Sequence, residues 1–131
     1  EAFLKNKNID VKIQITFELC RNERVLPFDF GIYKNNILIC IIEYDGEGHF
    51  SPIRFNRISS KIAKKRFKDT IQNDEIKNKY CRDNHIPLLR IPYWCYDDIE
   101  SIIDEVILKL DSKDLLAIIN NLNVRLLKKW S

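Results

Sequence analysis

The chain has 131 residues, 45% of them hydrophobic and 31% charged, with three glycines and four prolines. That is the composition of one compact domain with a real core, and it excludes low-complexity and collagen-like chains. With 22 Lys+Arg against 19 Asp+Glu, the net charge of +3 permits nucleic-acid binding without demanding it; what decides is whether the basic groups gather on one face.

Glu1 to Asn8 reads like the last turns of a helix with an Asn-rich stop, so the chain is expected to be excised from a longer protein. Val11 to Phe17 alternates apolar and polar residues, the period of a half-buried strand. Cys20 to Arg24 makes a polar turn, and Val25 to Tyr33 reads as a second strand with Pro27 at its entry. Lys34-Asn35-Asn36 is a short turn that predicts an antiparallel hairpin with the next strand. Ile37 to Ile42 is apolar on both faces, the mark of a strand covered on both sides, and it runs straight into Glu43-Tyr44-Asp45-Gly46.

Phe50 to Ser60 is irregular, with Ser59-Ser60 as a helix start. A basic helix follows over roughly Lys61 to Asn84. Pro87 to Pro92 is a short strand, and Tyr93-Trp94-Cys95-Tyr96 an aromatic loop. Asp97 or Asp98 caps a helix whose apolar residues Ile99, Ile102, Ile103, Val106, Ile107 and Leu110 recur at helical spacing. Asp111-Ser112 opens a last helix, Leu115 to Leu122, before a basic tail. The order of elements predicts a single α/β domain with a mixed β-sheet flanked by helices.

The four cysteines, Cys20, Cys40, Cys81 and Cys95, show no Cys-x-x-Cys spacing. They read as free thiols of a reducing compartment rather than as zinc ligands or disulfides. No secretory leader is visible, and the longest apolar run is far short of the roughly 20 residues a membrane span takes. An intracellular protein without membrane contact is expected.

The chemistry concentrates at the end of the buried strand. Strand side chains alternate, so Glu43 and Asp45 share a face. Two acids at the mouth of an apolar strand call for a neutralising partner, and a divalent cation with oxygen ligands is one solution. Asp29, between Phe28 and Phe30, can join them if both aromatics face the core. Gly46 allows a sharp turn that lets His49 fold back over the carboxylates. On the long helix, Phe67, Ile71, Asp74, Asn78 and Cys81 fall within one arc. Asp74 on that apolar stripe needs a partner: either Lys77 or the acidic cluster. Arg54, Arg57, Lys61, Lys64, Lys65, Arg66 and Lys68 form the densest basic cluster. It is either a solvated helix face or a surface that tracks phosphates. Arg90 is open between a phosphate contact and a buried ion pair.

Leu26-Pro27-Phe28-Asp29-Phe30, Ile42 to Phe50 (Ile-Glu-Tyr-Asp-Gly-Glu-Gly-His-Phe), and Asp74 to Cys81 followed by Leu89-Arg90-Ile91 resemble the PD-(D/E)XK nuclease superfamily. The resembling branch lies close to very-short-patch mismatch-repair endonucleases and to phage and mobile-element homing endonucleases with an E-D-x-H-D pattern. The resemblance runs from about Phe17 to Tyr93 and implies a restriction-endonuclease-like fold. It implies a Mg²⁺-dependent DNA endonuclease in which Asp29 and Asp45 hold the metal. His49, Asp74, Lys77 and Glu43 would carry the catalytic work, and the basic cluster would hold DNA. Two departures stand out. Asp45 replaces the lysine of the superfamily's Glu-x-Lys triplet, and Glu1 is the only counterpart to the glutamate of the family's early helix. The expected partners are DNA, other domains of the parent chain, and a second copy in a homodimer. Two further readings are a nuclease-fold module that binds DNA without cutting it, and an interaction domain of a larger viral or mobile-element protein.

Overall fold

The computed structural model of the chain describes residues 8–51 and 60–129; the expected helical start of the chain, Arg54, Arg57 and the Ser59 helix start lie outside them. Strands β1 (Ile9–Ile15), β2 (Phe28–Lys34), β3 (Ile37–Asp45) and β4 (Leu88–Pro92) form one sheet in that order. β1/β2 and β2/β3 pair antiparallel, whereas β3/β4 pair parallel. Asn35 and Asn36, with φ of 51° and 67°, make the tight β2–β3 turn. Both are in the left-handed region that a two-residue hairpin turn demands and that Asn tolerates. The parallel step from β3 to β4 needs a crossover connection, and helix α1 (Ser60–Asp83) supplies it. Helices α2 (Ile99–Leu108) and α3 (Leu115–Lys128) follow β4.

The sheet separates two apolar clusters. Cys40 and Ile42 of β3 join Leu89 and Ile91 of β4 against Ile102 and Val106 of α2 and Ile119 and Leu126 of α3. Ile41, between them, packs instead with Phe28, Cys81 and the α1 residues Ile76 and Tyr80. Alternation along β3 therefore turns 41, 43 and 45 toward α1 and 40, 42 and 44 away from it. This places both β3 carboxylates under α1. Among the described residues no helix is long and apolar enough to cross a membrane.

Several boundaries differ from the sequence reading, each for a local reason. β1 lies two residues earlier than Val11 to Phe17, and as an edge strand it leaves Val11 and Ile13 exposed rather than half-buried. β2 starts at Phe28, not Val25: Pro27 has no N–H for the ladder, and Val25 makes only an isolated bridge to Arg21. β3 continues through Glu43 and Asp45, because both acids find partners on α1 and β4. Tyr93–Asp98 is a 3-10 turn rather than a loop. Asp98 stands at the start of α2 but makes no capping bond; its carboxylate accepts instead from Lys129 at 3.2 Å. The basic tail is helical as far as Lys128. Arg125 and Lys128 sit in its last turn, where cations suit the helix dipole.

Candidate metal centre in the α1–β4–α3 cleft

β3 ends with Glu43 and Asp45, 2% and 5% exposed, and α1 presents Asp74, Lys77, Asn78 and Cys81 over them. Each acid is held differently. Glu43 Oε2 accepts from Lys77 Nζ at 2.8 Å, and its Oε1 accepts from the Asp29 backbone N–H at 2.7 Å. Asp29 Oδ2 in turn accepts from the Tyr44 N–H at 2.8 Å. The β2–β3 pairing stops at Phe30↔Ile42, so two carboxylates bridge the strands where the ladder ends. These bonds satisfy amides that burial would otherwise leave unpaired. Phe28 and Phe30 belong to different clusters. Asp29 is therefore not simply turned away from one core face; its side chain points along the seam to β3.

Asp45, His49 and Asp74 form the second group. Beyond β3, Gly46 has φ −67° and ψ 176°, a conformation open to any residue, and a Cβ there would meet nothing within 4 Å. A single 3-10 turn, Glu47–His49, then brings His49 back over the strand end. His49 Nδ1 lies 2.7 Å from Asp74 Oδ2 and 3.6 Å from Asp45 Oδ1. Arg90, opposite Glu43 in the parallel register, donates to Asp45 Oδ1 at 2.7 Å and sits 3.5 Å from Asp74 Oδ1. Its Nε donates to Asn78 Oδ1 at 2.9 Å. One potential ligand atom from each of Asp45, His49 and Asp74 falls within 4.8 Å of the others, so the three can hold a metal ion. Asp29 does not belong to that group.

The electrostatics follow from this packing. Burial pushes the Asp45 carboxyl above its ordinary value, against the pull of Arg90 and His49. The hydrogen bond to Asp74 raises the His49 imidazole, against the effect of burial. Burial also pushes the Cys40 and Cys81 thiols up to about 12, which leaves neither a thiolate nucleophile near neutrality. All four cysteines are free and buried.

The expected site residues thus divide. Asp45, His49 and Asp74 converge. Glu43 and Lys77 form a neighbouring buried pair, so Lys77 serves Glu43 and not Asp74. Asp29 supports the strand seam. Lys61, Lys64, Lys65, Arg66 and Lys68 are all exposed, and Lys65 pairs with Asp69. At about 100° per residue, Lys61, Lys65 and Lys68 fall on the opposite side of α1 from Asp74 and Cys81, while Lys64 and Arg66 flank the site on either side, each about 80° from Asp74. Tyr93 and Trp94 pack with Phe50 at ring distances of 5.7 and 4.7 Å, and the Trp94 indole N–H donates to the Leu126 carbonyl at 3.0 Å. Tyr96 is largely exposed and meets Tyr44 edge-on.

Two participants were not assigned from sequence. Arg90 proves to be an ion-pair member; its position between apolar Leu89 and Ile91 shows which face it takes but not which acid it meets. Asn123 of α3 accepts from the Arg90 N–H and donates to the Leu88 carbonyl, both at 2.9 Å, and so fastens the edge strand that carries Arg90. Asp45, His49, Asp74 and Arg90 line a cleft of about 600 Å³ whose other walls come mainly from α1 and α3, with Phe50, the segment after α1 and the ends of β4 completing it. Comparison of the chain with protein-family models, with curated proteins and with solved structures yields no match.

Proposed function

We propose that this chain is a metal-dependent DNA endonuclease with a restriction-endonuclease-like arrangement of its sheet, akin to the very-short-patch-repair branch of the PD-(D/E)XK nucleases. The observation that carries the reading is the convergence of Asp45, His49 and Asp74 from a buried strand, a turn and a crossover helix. The two carboxylates of that group, Asp45 and Asp74, suit Mg²⁺ or a similar hard divalent ion, which typically takes one or two protein carboxylates and leaves room for substrate phosphate, with His49 kept for proton transfer. A divalent ion bound there would polarise a phosphodiester and lower the pKa of a bound water.

The remaining roles belong to the chain. Asp74 orients the His49 ring through Nδ1, leaving Nε2 to take a proton from water or give one to the leaving oxygen. Arg90, already at the cluster, is placed to meet developing negative charge on phosphate. Lys77 is a positioning residue that neutralises Glu43 and keeps the end of β3 in register. Arg66 and the lysine row would add weak, salt-sensitive DNA contacts.

One observation favours the second reading, a module that binds DNA without cutting it: Arg90 already neutralises Asp45. Incubating the protein with supercoiled plasmid and Mg²⁺ separates the two. Nicking or linearisation that EDTA and Asp45→Ala both abolish is the expected result. An intact plasmid alongside salt-sensitive DNA binding would establish the non-cleaving module instead.

A further inference from the structure

We propose that the cleft beside the cluster takes single-stranded or everted DNA, with a nucleobase seated against α3. This rests on the nuclease reading for the placement of a phosphate at Asp45. Asp45, Asp74 and Arg90 are recessed, with side chains only 7%, 16% and 18% exposed, so a phosphate reaches them only by projecting into the cleft. A volume of about 600 Å³ lies within the roughly 300–1,000 Å³ typical of sites that enclose small ligands. A duplex, whose major groove alone accommodates an α-helix, does not enter such a space. One or two nucleotides drawn out of a helix do.

The α3 wall suits a base. Leu116, Asn120, Asn123 and Leu127 recur at i, i+4, i+7 and i+11 and all face the cleft. Leu116 and Leu127 are 48% and 53% exposed, and with Ile71 of α1 opposite they offer apolar surface for a base face. Asn123 is committed to the β4 backbone and Asn78 to Arg90. The Asn120 side chain has no hydrogen-bond partner among the described residues, and its amide can both donate to and accept from a base edge. Arg82, also on the wall, is placed for a flanking phosphate. Glu75 is the one lining carboxylate outside the cluster, and it sits exposed on α1 across from the leucines.

The test is fluorescence anisotropy at one fixed salt concentration, with Ca²⁺ replacing Mg²⁺, on a labelled oligodeoxynucleotide alone and annealed to its complement. The single strand is expected to bind at least about tenfold more tightly than the duplex. Leu127→Asp and Leu116→Asn should remove most of that preference, with duplex affinity unchanged in the uncharged Leu116→Asn, and Asn120→Ala should alter the base preference. Circular dichroism melts show whether each variant folds; Asn120→Ala and Leu116→Asn, at exposed neutral sites, keep the test open if Leu127→Asp does not. Equal affinity for strand and duplex, or folded variants that retain the preference, would overturn the proposal. So would sedimentation showing a dimer that Leu127→Asp dissociates, which would assign the leucines to a second copy. Cleavage is read separately: strand preference without Mg²⁺-dependent cleavage keeps the cleft and sinks the nuclease, while cleavage without strand preference does the reverse.

Discussion

His49 Nδ1 and Asp74 Oδ2 stand 2.7 Å apart across 25 residues of chain, joining the turn after β3 to the middle of α1. The contact is a charge-assisted hydrogen bond when the imidazole is protonated. It also fixes which ring nitrogen faces the cleft.

This bond makes the metal-free protein less stable as pH rises above neutrality. His49 is raised above its ordinary 6.5 in the fold. Its stabilising contribution is therefore complete below about pH 6.5 and is lost as pH climbs through the folded value. Asp45, raised from 3.8 by burial, has the same sign but over a range that starts near pH 3.8, where the folded state again binds more protons than the unfolded one. Urea midpoints in EDTA should fall between pH 6.5 and the alkaline side, and His49→Gln should flatten the profile. A midpoint that rises over this range would show that the His49–Asp74 bond is not formed in solution.

On the proposed reading, Arg90 and a divalent cation at the cluster would compete for Asp45. Removing the guanidinium leaves Asp45 buried without its closest cation, which costs on the order of 3 kcal/mol. Arg90→Gln should lower the melting temperature in EDTA and gain more from added Mg²⁺ than the wild type does. Because the cation needs the deprotonated forms of its ligands, the gain should also grow from pH 6 to pH 8. Equal shifts in both proteins would mean that the ion binds away from Asp45.

The parts of this site differ in how far the sequence revealed them. The β2–β3 hairpin was legible because Lys34-Asn35-Asn36 encodes its own turn, and α1, read as roughly Lys61 to Asn84, because Phe67, Ile71, Asp74, Asn78 and Cys81 recur at helical spacing. The shared face of Glu43 and Asp45 followed from strand alternation alone. What could not be read locally was which cation answers which acid. Lys77 was the natural neighbour for Asp74 along the helix, yet it lies 2.8 Å from Glu43. Asp74 instead meets His49 and Arg90, because the parallel β3/β4 register brings in a side chain 45 residues from Asp45. The lysine row looked adjacent to the site in sequence, but helix rotation carries Lys61, Lys65 and Lys68 to the far side.

The Glu43–Lys77 pair makes an asymmetric prediction. Lys77→Met leaves a carboxylate only 2% exposed with no counter-charge and should cost on the order of 3 kcal/mol. Glu43→Gln keeps an acceptor for the Asp29 N–H and leaves Lys77 free to reach water, so it should cost about 1–2 kcal/mol. The double variant should be less destabilised than the sum of the two, measured by urea unfolding as a double-mutant cycle. Strict additivity would show that the two groups do not interact.

Asn123 offers the cleanest separation of scaffold from chemistry. Its amide supplies both a donor and an acceptor to β4, standing in for the strand that an edge lacks. It thereby sets the height of Arg90 above Asp45. Asn123→Ala removes two partners from backbone groups at Leu88 and Arg90, and should cost about 1–3 kcal/mol. Asn123→Asp keeps the acceptor for the Arg90 N–H but sets a carboxylate against the Leu88 carbonyl, so it should fare no better. Hydrogen exchange at the Arg90 amide reads the effect directly, since that N–H is bonded to the side chain and not to a neighbouring strand. Faster exchange there, with β2–β3 amides unchanged, is the expected result. Uniform acceleration across the sheet would mean that Asn123 supports the whole fold and not the edge alone.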